Sequence, residues 1–182
     1  MTRQHSPAAA LCGLALYLTG PAPYAQAASA TEPRESAAAE IRMDTPSGYP
    51  VPRLVSLKSK KTFCRTGPSF SHPVRLTYMR QGLPVVVVAE THDHWRKIRD
   101  SENDECWTHK SKLSGNLTAL VLEDGLAIRS KPAVSAPVKA RFGRGLVARV
   151  DDRREGWIKI SAAGVKGWAP SSAFWGAGAS SP

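Results

Sequence analysis

No stretch of this chain is apolar for long enough to cross a bilayer: the longest, Ala8 to Leu18, runs about 11 residues where a spanning helix takes roughly 20. A membrane-spanning protein is not expected. No nucleophile, base and orienting group stand in a catalytic pattern, which leaves a non-enzyme without a cofactor as the expectation. Metal ligands are equally thin. His92-Asp93-His94 and Cys106-x-x-His109 lack a second ligand pair at metal-site spacing, so a polar turn with solvated histidines is expected and no metal. Acidic side chains are few, 15 against 25 Lys and Arg. Such an excess favours anionic partners and weakens with salt, or else only keeps the protein dissolved.

What is present begins with an export signal. One cation, Arg3, precedes the apolar run, a Gly20-Pro21 break and the small residues Ala25-Gln26-Ala27, the pattern of a secretory signal peptide over residues 1–27. Cleavage there removes one basic and no acidic side chain and leaves a net charge of +9. The product is expected to be periplasmic or secreted, which disfavours nucleic acid as its partner. Residues 28–48 are rich in Ala, Ser, Glu, Thr and Pro without apolar periodicity, so a disordered linker is expected. Order should start near Tyr49-Pro50-Val51-Pro52, and residues 177–182 should form a flexible tail.

Between these ends the chain repeats itself. Cys64-Arg65-Thr66-Gly67-Pro68 returns as Ile128-Arg129-Ser130-Lys131-Pro132, and residues 62–79 align without a gap on residues 126–143. Gly82-Leu83 then matches Gly145-Leu146, Trp95-x-Lys97-Ile98 matches Trp157-x-Lys159-Ile160, Cys106-Trp107 matches Gly167-Trp168, and Gly115 matches Gly176. The two copies, residues 49–115 and 116–176, meet at a very short Asn116-Leu117 junction. A fixed pair with a shared boundary is expected. In each copy, short apolar runs dominated by β-branched and aromatic residues are punctuated by Gly, Pro, Asp and Asn, and so read as strands. Copy one should carry them near 55–58, 61–65, 74–78, 84–90, 94–99 and 105–109. In copy two they fall near 118–122, 126–129, 138–142, 146–151, 156–161 and 165–169, with one 3₁₀ turn at 170–173. The fold class is therefore all-β: two tandem small β-barrels packed together.

The shared pattern, Arg-Ser/Thr-x-Pro after the first strand, Pro-Val into the next, Gly-Leu opening the third, Trp-x-Lys-Ile in the fourth and Gly-Trp in the fifth, resembles the bacterial SH3-like (SH3b) family in its tandem, exported form. The resemblance spans Gly48 to Gly176. It implies SH3-like barrels, no catalysis, and a targeting or binding role, often at peptidoglycan. Two departures stand out: Cys106 replaces the Gly before the Trp in copy one, and Lys131 stands in copy two where copy one has Gly67. In an SH3-type barrel the first and last strands lie side by side, so the resemblance and the oxidising compartment together imply a Cys64–Cys106 disulfide, with a free thiol pair as the alternative. Cell-wall peptidases that carry SH3b domains use a Cys before Ser-Gly, whereas Cys64 precedes Arg65-Thr66.

Candidate contact residues follow from strand alternation. If residues 156–161 are extended, Ile158 and Ile160 face the core while Trp157 and Lys159 face away, and Trp95 should likewise oppose Ile98. Trp95, Trp107, Trp157 and Trp168 then make shallow stacking platforms for a sugar face or a peptide, or else they cover barrel ends. Arg65 and Arg129 offer a planar fork to a carboxylate, or else tie their own loops. Tyr78 and Phe142, matched across the copies, complete the candidate ligand-binding set. The expected partner is peptidoglycan or another anionic envelope component, bound by a monomer. The alternative is an envelope protein presenting an extended or Pro-rich peptide.

Overall fold

The computed structural model describes residues 40–177. The expected signal peptide, the first part of the linker and residues 178–182 lie outside the described residues. Repeat one consists of β1 (Arg53–Leu57), β2 (Thr62–Arg65), β3 (Val74–Tyr78), β4 (Pro84–Glu90), β5 (Trp95–Arg99) and β6 (Glu105–His109), then a 3₁₀ turn at Lys110–Lys112 and a short β7 (Leu113–Ser114). Repeat two follows the same plan: β8 (Thr118–Val121), β9 (Leu126–Arg129), β10 (Val138–Phe142), β11 (Val147–Arg154), β12 (Trp157–Ala162), β13 (Val165–Pro170), a 3₁₀ turn at Ser171–Ala173 and β14 (Phe174–Trp175).

Each repeat is one seven-stranded antiparallel sheet, and the two take the same path. The orders are β3-β2-β6-β5-β4-β1-β7 and β10-β9-β13-β12-β11-β8-β14. The matched Gly-Leu pairs explain part of that identity. Gly82 and Gly145 hold left-handed φ values of +76° and +81°, where a Cβ is strained. From there their N–H groups donate to Leu57 O and Val121 O, each at 2.8 Å. Leu57 and Val121 in turn donate to Leu83 O and Leu146 O, each at 2.9 Å, so one local turn closes both barrels at the same point.

Each barrel buries its own core. Leu57, Cys64, Val85, Val87, Ile98 and Cys106 fill the first with Val51, and Leu126, Ile128, Phe142, Ala148, Ile158, Ile160 and Phe174 fill the second. Cys64 and Cys106 are joined, with S–S at 1.99 Å and Cα–Cα at 5.5 Å, across the neighbouring strands β2 and β6. The matching place in repeat two is packed differently. A Cβ on Gly167 would lie 2.6 Å from Ile128 Cγ2 and 2.7 Å from Arg129 O, so Ile128 occupies the space and the neighbour must be glycine. One repeat fills the gap with sulfur, the other with a larger aliphatic group.

The repeats touch. Thr118 Oγ1 donates to Gly82 O at 2.6 Å, and Arg80 Nη1 donates to Gly145 O. Gly176 sits where a Cβ would be 2.9 Å from Pro84 Cβ and 3.2 Å from Thr118 O, so the end of repeat two closes on the start of β4.

Three expectations are corrected. Order begins before Tyr49: Arg42 and Val51 exchange backbone bonds of 2.8 and 2.9 Å, and Gly48 N closes a turn on Thr45 O at 3.0 Å. The segment docks because Ser47 N donates to the Glu90 carboxylate at 3.1 Å, an anchor that composition cannot signal. Ala177, expected in a flexible tail, is buried, and its carbonyl accepts from Arg153 Nε at 3.0 Å. Strand β11 runs to Arg154 instead of ending near 151, because a register shift between Val150 and Asp152 lets its pairing with β12 continue.

Candidate functional site

The β5–β6 pairing sets the outer face of repeat one. Directly opposed residues share a face, so Trp95 with His109, Lys97 with Trp107, and Arg99 with Glu105 form a row along it. Alternation puts Arg96 and Ile98 on the inner side. Repeat two builds the same row from Trp157 with Pro170 and Lys159 with Trp168, with Ile158 and Ile160 inside. The strand parity of both tryptophan motifs is therefore as the periodicity implies.

Exposure, which alternation leaves open, differs from ring to ring. Trp95 is only 5% exposed, because the β2–β3 loop lays Phe70 across it edge-on at a centroid distance of 4.9 Å, and His109 packs at 5.8 Å. Trp168 is also 5% exposed, roofed by Arg154 at 4.9 Å and Lys159 at 5.7 Å. Neither ring is an open platform; both lie under neighbouring side chains. Trp107 and Trp157 are half-buried, with part of each side chain open to solvent.

Phe142 and Tyr78 are corrected too. Phe142 lies in the second core, and Tyr78 packs against the first while its hydroxyl donates to Asp100 Oδ2 at 2.9 Å. Burial, then that bond and the Asp100 charge, raise the Tyr78 pKa, so it stays a neutral structural group. Arg65 and Arg129 hold their own loops: Nη1 donates to His72 O at 2.7 Å in one and to Ala136 O at 2.8 Å in the other. Those carbonyls are seven residues on in both cases, which makes the recurring arginine a loop clamp. Arg65 also lies 5.8 Å from the Phe70 ring.

The residue that sequence reasoning missed is Phe70. It is 71% exposed and caps an aromatic cluster of Trp95, His109 and, beside them, His94. Its loop position carries no periodic signal, and its counterpart in repeat two is Val134, also exposed. Burial first, then the His94 and Lys110 charges, depress the His109 pKa and favour a neutral ring. Lys97 and Arg99 flank the same row at 2.5 and 2.8 Å from Glu105. The Lys97 bond is the largest influence holding the Glu105 carboxyl below its ordinary range; burial opposes it, and Arg99 adds to it. The Cys106 sulfur is bonded to Cys64 and is not free to ligate a metal.

A second cluster lies on the inner side of the same hairpin. The Glu90 side chain is fully buried, with Oε1 bonded to Arg53 Nη2 and 2.8 Å from Arg96 Nε, while Oε2 accepts from Ser47 N. Burial alone would raise its pKa. The Ser47 amide and the two guanidiniums outweigh burial and hold it below the ordinary carboxylate value. The sequence signal was available: Arg96 has the inward parity of Ile98, at the position where repeat two has Ile158.

Two like barrels, each with an aromatic row on its outer face, define a duplicated small-β-barrel protein of the SH3-like class. The bacterial SH3 domain model matches residues 58–115 and again 123–176, and the chain belongs to that family. It is 28% identical over 130 residues to a putative N-acetylmuramoyl-L-alanine amidase of Bacillus subtilis, covering 64% of this chain and 24% of that protein. The chain thus spans about a quarter of that relative's length. Among solved structures it is similar to NlpC2 and NlpC1 from Trichomonas vaginalis, each at 13% identity. The TM-scores are 0.32 and 0.31, with 70% and 68% of this chain covering 49% and 45% of those chains.

Proposed function

We propose that this is a non-catalytic exported protein that binds a component of the cell envelope, peptidoglycan foremost, through the aromatic and basic outer face of repeat one. The observation that carries the reading is Phe70, held out on its loop over Trp95 with the Arg65 guanidinium beside it. An exposed ring seated on Trp95 beside a cation suits the apolar face of a sugar joined to an anionic group. Membership of the bacterial SH3 family supports the reading, as does the similarity to a protein named for cleaving an N-acetylmuramoyl bond.

Co-sedimentation with purified sacculi across a salt series tests it. Saturable binding should survive about 0.3 M salt, where exposed charges are largely screened, and should weaken several-fold in Phe70→Ala. Absence of saturable binding, or binding indifferent to Phe70, would refute it. A second reading, an extended peptide of an envelope protein, is favoured by the outermost strands β3 and β10, on which Val74 and Val138 are exposed. It predicts retention of a specific protein where bare sacculi retain nothing.

A further inference from the structure

The Arg53–Glu90–Arg96 cluster is not a requirement of the fold. In the β4–β5 ladder Glu90 opposes Arg96, and at the matching place of the β11–β12 ladder Arg153 opposes Ile158. Ile158 closes that barrel as an ordinary core residue. Repeat one instead buries a guanidinium and a carboxylate, an exchange whose desolvation cost must be offset by pairing. A charged pair kept where an isoleucine suffices calls for a use.

The surroundings indicate one. The cluster opens on a cleft of about 600 Å³ between the Pro46–Tyr49 segment, β1, the β4–β5 turn and β7. Arg53, Arg96 and Lys110 line it, and within this cluster only Glu90 opposes their charge. Both Glu90 oxygens are already engaged, so the carboxylate acts as a brace that holds two guanidiniums in place. Arg96 Nη2 and Arg53 Nε make no hydrogen bond among the described residues. Leu54, Leu113 and the Tyr49 ring supply apolar walls. Repeat two has no equivalent cleft chemistry: by register Trp175 stands where Ser114 does, and Leu117 and Ser171 replace Arg53 and Lys110.

We propose that this cleft of repeat one binds the carboxylate end of a short peptide, with the Arg53–Arg96 pair and Lys110 holding the carboxylate and the apolar walls holding the adjoining side chain. Braced guanidiniums present parallel donors to a planar oxyanion, and a volume of this order holds two or three small residues. His94 lines the cleft and also borders the Phe70 cluster, but Phe70 and Trp95 do not line it, and alternation places Trp95 and Arg96 on opposite sides of β5.

Backbone amide NMR on the full chain, titrated with acetyl-alanyl-alanine, with the same dipeptide as its C-terminal amide, and with inorganic phosphate, tests the proposal. The acid should give saturating shifts at Ser47, Arg53, Arg96 and Ser114, with the amide at least about tenfold weaker, because only the acid offers a charged acceptor. Arg53→Gln and Lys110→Gln, which leave the Glu90–Arg96 pair intact, should each weaken binding several-fold, and Phe70→Ala should leave it unchanged. No saturable shift with the acid, equal binding of acid and amide, phosphate binding as tightly as the acid, or loss in Phe70→Ala would each overturn it. Sacculus binding is read separately, so either conclusion can fail alone.

Discussion

Breaking the Cys64–Cys106 bond should unfold repeat one under conditions in which repeat two stays folded. The bond closes a loop with a sequence separation of 42 residues, which on the loop-entropy model constrains the unfolded chain by about 4 kcal/mol. A barrel of this size has little to spare: roughly 0.05 to 0.15 kcal/mol per residue puts its stability at about 3 to 9 kcal/mol. Reduction therefore removes a large share of it. Repeat two has no such dependence, because Ile128 and Gly167 meet at the corresponding place and hold it by packing. The assay is urea unfolding of the full chain with and without dithiothreitol, followed by amide signals that distinguish the repeats. With a slope near 1 kcal/mol/M for so small a domain, the repeat-one midpoint should fall by roughly 3 to 4 M while that of repeat two holds. A repeat-one midpoint that moves by less than about 0.5 M would refute the reasoning, and so would equal loss in both repeats, which would make the shared boundary the determinant.

Gly167→Ala should destabilise repeat two by about 1 to 3 kcal/mol, since the new Cβ meets Ile128 Cγ2 and the Arg129 carbonyl below van der Waals distance. An unchanged melting temperature would count against the packing account. Acid should weaken both repeats. The Glu90 and Glu105 carboxyls of repeat one and the Asp151 carboxyl of repeat two have folded pKa values below their ordinary 4.5, 4.5 and 3.8. For Asp151, burial works against that fall, and the Lys166 bond and charge, with Arg149, outweigh it. A depressed folded pKa contributes stability that is complete above the unfolded value and is lost as pH falls through the folded one. Urea midpoints should therefore hold down to about pH 5 and decline steadily toward about pH 3. A flat profile would show that these ion pairs contribute nothing net.

Much of the fold can be read from the residues in order. The offset that brings Cys64-Arg65 onto Ile128-Arg129 and Trp95-x-Lys97-Ile98 onto Trp157-x-Lys159-Ile160 reveals the duplication, and alternating burial in strands makes the parity of Trp157 and Ile158 a local property. Most strand limits follow to within a residue or two for the same reason, except that of β11, which a register shift between Val150 and Asp152 carries on to Arg154. The two-residue strands β7 and β14 escape because two residues carry no period. The candidate site was less legible. Trp95 does point out of the barrel, yet whether its ring meets solvent depends on Phe70, which is 25 positions earlier and reaches it only through the folded loop. Trp168 is hidden by Arg154 in the same way. The repetition of Arg65 and Arg129 is visible in the sequence and points to a fold requirement, while their partners, the carbonyls of His72 and Ala136, appear only in the folded loops.

The sequence by itself determined the duplicated all-β plan, the strand order's raw material and the pairing of Arg, Gly-Leu and Trp positions, because each depends on near neighbours and on period two. Tertiary structure alone decided which rings are exposed and where the buried charges gather. Exposure belongs to whatever packs on top of a side chain. Glu90 draws Arg53, Arg96 and the Ser47 amide together from four places in the chain, because a carboxylate taken out of water binds the donors that folding brings within reach.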